Sequence, residues 1–189
     1  MNRHLQIGIM GSAGSGKTIL AHLLSSALGI ALIEEGVRPW LAMQGLGSPN
    51  NLGWDRQLEL QEHYLEAKMQ RESAQQAFVS DRTTLDVVVN LLLRRGARDQ
   101  VPIDLAQRAL DYARETYDQV VLLRWKDGPW VIPDGIRRED PEGLKREQDL
   151  CASLCERMGL GTRVVNAHPT EAEIDFLLQQ LRLDSDCGR

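Results

Sequence analysis

Apolar residues in this chain follow two rhythms: short continuous runs, and longer stretches spaced three to four residues apart. Residues 5–10 form an apolar run ending in glycine, which predicts a strand. Residues 17–28 place Ile19, Leu20, Leu23, Leu24, Ala27 and Leu28 on one helical stripe, closed by Gly29. Residues 30–33 are a second run, too short for a helix, bounded by Glu34-Glu35-Gly36. Residues 45–53, with Pro49 and two asparagines, read as a loop. Residues 55 to about 75 are charge-rich, with Leu58, Leu65 and Met69 on one face, and predict a long surface helix. A third strand follows at 77–80. Thr83 with Asp86 has capping-box spacing and opens a helix to Arg95 that Gly96 closes. Asp104 with Gln107 opens another, ending near Thr116, and 119–123 is a fourth strand. Asp140-Pro141 begins a helix carrying Leu144, Cys151, Leu154, Cys155 and Met158. Residues 163–165 make a fifth strand, and Thr170 with Glu173 caps a terminal helix. Strands that alternate with helices require crossover connections and a mostly parallel sheet. The expectation is a three-layer α/β fold of about five strands, one domain over residues 1–189, without internal repeats.

Composition narrows the function classes. The 189 residues carry 22 Lys+Arg and 27 Asp+Glu, a net charge of −5, which argues against coating a polyanion. A hydrophobic share of 42% supports a real core. No apolar run approaches the ~20 residues of a membrane span, and the N-terminus lacks a signal-peptide design. A soluble, cytoplasmic protein is expected. Three cysteines make no disulfide framework, and Cys151 with Cys155, four apart in a helical pattern, read as core packing. His4, His22, His63 and His168 are dispersed and have no metal-ligand spacing.

One motif decides the chemistry. Gly11-Ser12-Ala13-Gly14-Ser15-Gly16-Lys17-Thr18 fits G-x-x-x-x-G-K-[ST] and lies between a predicted strand and a predicted helix. The glycines let backbone N–H groups converge on phosphate oxygens, and the following helix adds its positive end. Lys17 would reach the β/γ-phosphates and the Thr18 hydroxyl would ligate Mg²⁺. Such a site needs an acid at a neighbouring strand end, and Asp81 follows the third apolar run, though a helix-capping role competes for it. Arg82 is next. A second acid, Glu34 or Glu35, follows the second run, and alternation leaves open which one faces the cleft. Ligands gather at the carboxyl ends of strands in an open parallel sheet. Lys17, Glu35 and Asp81 should therefore meet in one cleft, with a carboxylate free to orient an acceptor hydroxyl. Residues 124–140, rich in Gly and Pro and carrying Arg137-Arg138, read as a lid whose arginines close on the phosphoryl group.

These residues together resemble the small P-loop kinase family that includes the ribosylnicotinamide kinase domain of bacterial NAD-biosynthesis regulators and related AAA-like ATPase domains. They are similar, more distantly, to deoxynucleoside kinases. The resemblance rests on Gly11–Thr18, Glu35-Gly36-Val37-Arg38, Asp81-Arg82-Thr83, Pro129-Trp130 and Asp134-Gly135-Ile136-Arg137. It implies ATP·Mg²⁺ as donor and a nucleoside-like hydroxyl as acceptor. It further implies Asp81 as the metal-associated acid, Arg82 as a phosphate or acceptor contact, and Arg137 as a lid arginine. Arg38 and Asp134 become candidate acceptor contacts. The chain departs from the pattern at Gly36, where the family carries an aromatic. Trp40 and Trp54 flank the expected acceptor segment, and each could stack on a base or pack against the core.

Three functions are consistent with this reading. The first is a small-molecule kinase that moves the γ-phosphoryl group of ATP to a nucleoside-like hydroxyl. The others are a nucleotide-dependent switch or accessory ATPase that binds a protein partner, and a polynucleotide-end kinase. A carboxylate free at the cleft, together with a lid, separates the first from a switch, which needs neither.

Overall fold

The computed structural model describes residues 5–96, 99–125 and 140–186. Its elements run β1 (Gln6–Gly11), α1 (Lys17–Leu28), β2 (Ala31–Ile33), α2 (Val37–Met43), α3 (Trp54–Ser73), β3 (Phe78–Asp81), α4 (Leu85–Arg94), α5 (Ile103–Thr116), β4 (Gln119–Arg124), α6 (Pro141–Met158), β5 (Thr162–Asn166) and α7 (Glu171–Asp186). The strands form one parallel sheet in the order β2-β3-β1-β4-β5. After β1 the chain builds first to one side and then to the other, so the carboxyl end of β1 lies where the strand order reverses.

Period-two alternation sorts the strand side chains to two faces. Ile7, Ile9, Val79, Val121 and Leu123 pack with Leu20, Leu24, Leu177 and Leu181 under α1 and α7. Met10, Phe78, Val120 and Leu122 pack with Leu85, Val89, Ala113, Cys151 and Cys155 under α4, α5 and α6. Both of these cysteines are buried free thiols, and the Cys155 Sγ lies 3.6 Å from the Met10 Sδ. Burial pushes the Cys155 thiol up to about 11, as expected of packing rather than reactive cysteines. Among the described residues no helix is long and apolar enough to cross a membrane.

The structure departs locally from the sequence expectations. The seven-residue α2 precedes the loop, and a 3-10 turn at Pro49–Asn51 lies within it. At α4 the Asp86 carboxylate accepts from the Thr83 N–H at 2.8 Å, but the helix proper begins at Leu85. It closes with an extended Arg95 rather than on Gly96. The α5 helix starts one residue before Asp104, with Pro102 as its N-cap and no side-chain cap. Two other starts follow the sequence: Asp140 accepts from the Gly143 N–H, and Thr170 and Glu173 cap each other reciprocally.

Candidate functional site

The phosphate-binding loop joins β1 to α1. Gly11, Gly14 and Gly16 adopt φ of 144°, 76° and 95°, a region that side chains with a Cβ rarely enter. A Cβ on Gly11 would also meet the Leu123 carbonyl oxygen at 2.7 Å. The Lys17 side chain is buried, and its Nζ donates to the carbonyls of Gly11 at 2.8 Å and Ser12 at 2.7 Å. The ammonium thus closes the loop on itself. Burial, reinforced by the Arg82 charge, holds the lysine below its ordinary pKa despite the acids Glu147, Asp86 and Asp81.

Asp81, at the end of β3, accepts from the Thr18 hydroxyl at 2.7 Å. The carboxylate faces α1 rather than capping α4, where Asp86 already holds the Thr83 N–H. A buried polar brace fixes this strand end. Lys68 Nζ donates to the Asp81 carbonyl at 3.1 Å and pairs with Glu72 at 3.5 Å. Glu72 in turn accepts from the Ser80 hydroxyl and from the Tyr117 hydroxyl at 3.0 Å, and Tyr117 accepts from the Thr84 N–H at 3.1 Å. A brace with every member paired rigidifies the end of a strand.

Of the two adjacent glutamates, Glu34 is exposed and Glu35 turns inward to pair with Arg82 Nε. Arg82 takes a positive φ of 68° and also pairs with Asp86 at 3.0 Å. Such backbone strain persists where the surroundings over-determine it, and here two carboxylates pin one guanidinium. Burial alone would raise the Glu35 pKa, but the charges of Arg82 and Lys17 and the Arg82 hydrogen bond outweigh it and leave the carboxyl below its ordinary value. Behind Glu35, Arg71 donates to the carbonyls of Glu34 at 2.9 Å and Glu35 at 3.4 Å. Gly36, at φ 79°, leaves the space this guanidinium occupies.

Two cavities open at the strand ends. One, open to solvent, is lined by Ala13, Gly14, Gly16, Lys17, Thr18, Asp81 and their neighbours. The other, also open to solvent, lies between α2, α3 and α4, with Arg38, Gln61, Tyr64, Asn90, Arg94 and Glu147 in its walls. Ala13, Glu35 and Arg82 line both, so the two cavities meet at the ion pair.

The structure therefore brings Lys17, Thr18, Asp81, Glu35 and Arg82 together, with Arg38 on the wall of the second cavity. Trp54 lines neither cavity and packs partly buried beside the cluster of Tyr64, Leu65 and Val87. Trp40 is buried with Leu41 and Leu60. Most of the expected lid, including Asp134, Arg137 and Arg138, lies outside the described residues.

Three residues of the loop's surroundings escaped the sequence reading. The Ala13 N–H donates to Glu147 Oε2 at 3.3 Å. Trp125 Nε1 donates to Ser12 Oγ at 2.9 Å. His168 donates its backbone N–H to Ser15 at 3.1 Å and its Nε2–H to the Gly14 carbonyl at 2.8 Å, with its ring 5.4 Å from that of Trp125. Glu147 did leave a trace in the sequence, because an acid there interrupts the apolar stripe between Leu144 and Cys151.

Among the described residues no group of three or more His, Cys, Asp or Glu could hold a metal alone. The Thr18 hydroxyl and Asp81 carboxylate are hard oxygen donors already in contact. That set suits a Mg²⁺ ion completed by phosphate oxygens and water.

A family model described as an AAA domain matches residues 6–172. Comparison with curated proteins gives no match. Among solved structures the chain is similar to NadR protein in complex with NAD and AMP-PNP, with a TM-score of 0.73 and 16% identity over 98% of this chain and 51% of that one. NadR in complex with NR gives a TM-score of 0.70 at 16% identity, over 95% and 50% of the two chains. Deoxyadenosine kinase from M. mycoides, with products dCMP and a flexible dCDP bound, gives 0.64 at 16% identity over 95% and 100%. The chain spans about half the length of the NadR chains. The shared feature is the fold, a P-loop sheet flanked by helices.

Proposed function

The chain belongs to the AAA domain family, and on that premise we propose that it is a small-molecule kinase. It transfers the γ-phosphoryl group of ATP to a hydroxyl of a nucleoside-like acceptor. The observation that carries this reading is the meeting of the cleft at the phosphate loop and a second, walled cleft at one ion pair, Glu35–Arg82. A switch or accessory ATPase needs no second cavity, and a polynucleotide end suits a chain of net charge −5 poorly. The complexes of NadR with AMP-PNP and with NR, and of the deoxyadenosine kinase with its products, support the same reading.

The loop amides and the end of α1 bind the donor phosphates, and Lys17 exchanges its two loop carbonyls for phosphate oxygens. Thr18 and Asp81 would hold Mg²⁺, which when bound neutralises charge on the β- and γ-oxygens. Arg82 stands beside the transferring group, where a cation stabilises spreading charge. Glu35 accepts a hydrogen bond from the acceptor hydroxyl and aims it at the γ-phosphorus. Its depressed pKa keeps it ionised for that task, which asks for positioning more than for a strong base. The cytoplasm, where ATP and Mg²⁺ are plentiful, is the compartment this chemistry suits.

The test is ADP formation with Mg·ATP across a nucleoside panel, for the native chain and for Lys17→Ala and Glu35→Gln. Acceptor-dependent ADP release that both variants reduce at least 10²-fold is the expected result. ADP release indifferent to every acceptor would make the protein an ATPase.

A further inference from the structure

Lys68 is among the largest side chains that the fold buries completely, and it is a cation. It lines neither of the two cavities, so a ligand held in them does not touch it. Its Nζ lies 3.5 Å from Glu72 Oε1, one turn farther along α3, and donates to the Asp81 carbonyl at 3.1 Å. Glu72 is equally buried. Taking both charges out of water is costly, and apolar side chains of similar volume often hold a core as well or better. Packing therefore does not account for an ion pair at this place. What the fold does with it is to aim an ammonium at one backbone oxygen.

That oxygen and the Arg82 nitrogen belong to one planar peptide unit, so fixing the oxygen fixes the plane that joins the two residues. Before the plane stands the Asp81 carboxylate, 2.7 Å from the Thr18 hydroxyl. After it, Arg82 leaves at φ 68° and its guanidinium reaches Glu35 and Asp86. A left-handed backbone at a residue with a Cβ persists only where its surroundings enforce it. The flanking residues have partners of their own: Ser80 donates to Glu72, Thr83 to Asp86 and Thr84 to Tyr117. The peptide between Asp81 and Arg82 is left to Lys68. We propose that Lys68 is a positioning residue that sets this peptide, and through it both the acid that would hold Mg²⁺ and the arginine beside the transferring group. Glu72 compensates the ammonium's charge. The inference rests on the kinase reading above and adds to it a residue that touches no ligand.

The experiment uses the paired variant Lys68→Met/Glu72→Gln, which keeps the volume and the acceptor for Ser80 and Tyr117 but removes both charges and the donor to Asp81. ADP affinity is measured by calorimetry in EDTA and in excess Mg²⁺, and unfolding by a thermal scan without ligand. Mg²⁺ should tighten ADP binding by the native chain, and in the paired variant that gain should fall by about tenfold or more. Affinity in EDTA should stay native, because the phosphate loop is held separately by Glu147, Trp125 and His168. The paired variant should melt close to the native chain. Leu181→Ala, which opens a cavity in the apolar core under α7, distinguishes positioning from general loosening: it should melt lower and keep the native Mg²⁺ gain. A paired variant that keeps the gain would overturn the proposal. So would one that fails to fold or loses ADP affinity in EDTA, since the pair would then be structural, and so would loss of the gain in Leu181→Ala. A native chain whose ADP binding gains nothing from Mg²⁺ would instead sink the metal assignment and the kinase reading with it.

Discussion

The Ala13 N–H and the Glu147 carboxylate are hydrogen-bonded at 3.3 Å, so an acid from α6 rests on a loop amide in the wall that the two cavities share. An incoming polyphosphate must compete with that carboxylate for the same donor and bear its charge. Two like charges about 4 Å apart repel by about 1 kcal/mol in bulk water and about 4 kcal/mol near a protein surface. Glu147→Gln should consequently bind Mg·ADP about tenfold more tightly. Calorimetry decides it, and unchanged or weaker affinity would mean that Glu147 only braces the loop.

Asp81 is held from both ends, its carboxylate by Thr18 and its carbonyl by Lys68. Asp81→Asn keeps the shape and both anchors but removes the charge toward the metal. Turnover should fall by about 10²-fold or more, with the Mg²⁺ concentration for half-activity raised. A variant with a lower melting temperature but native turnover and Mg²⁺ dependence would return Asp81 to a purely structural role.

The Glu35–Arg82 pair makes stability depend on pH in one direction. The folded-state pKa of Glu35 lies below its ordinary value, so the folded protein binds the proton less readily than the unfolded chain. The stabilisation from this group is complete above the unfolded glutamate pKa of about 4.3 and is lost as pH falls through the lower folded value. Urea unfolding of the native chain and of Glu35→Gln should differ by a constant amount above about pH 5.5 and converge on acidification. A difference that grows toward low pH would reverse the assigned direction.

How much of this was legible in the sequence follows from what each part of the chain has to bury. The strands and α1 were legible as elements because most of their apolar residues pack on one face or the other of the sheet, and glycine closes α1 where a left-handed residue is required; the stripe drawn along α1 was too wide, since Ile19, Leu23 and Ala27 are exposed and Leu20, Ala21 and Leu24 are buried. The phosphate loop read correctly because its spacing is imposed by backbone geometry rather than by packing. The helix α2 did not, since seven residues, just under two turns, end before the pattern of Val37, Trp40 and Leu41 can repeat. The polar face of α3 was misjudged for a deeper reason. Gln61, Tyr64, Lys68 and Glu72 look like a solvated stripe in sequence, whereas the fold turns that stripe inward against β3 and the second cavity. Glu34 and Glu35 could not be told apart, because their orientation is set by Arg71, some 36 residues farther along the chain.

That clamp gives the last prediction. Gly36 holds φ 79°, and a Cβ placed there would stand 2.7 Å from Arg71 Nη2. Gly36→Ala therefore has two costs, a left-handed backbone for a residue with a Cβ, about 1–2 kcal/mol, and displacement of the guanidinium. Moving the guanidinium releases the Glu35 carbonyl and with it the aim of the carboxylate at the junction of the two cavities. The variant should unfold at lower urea, and KM for the acceptor should rise while Mg·ATP affinity stays native, because the phosphate loop is held separately by Trp125, Glu147 and His168. Arg71→Ala alone should show the same acceptor defect. In the double variant the stability losses should fall short of the sum, since with the guanidinium gone only the backbone cost remains. Strictly additive losses would show that Gly36 and Arg71 act independently and that Glu35 is aimed by some other contact.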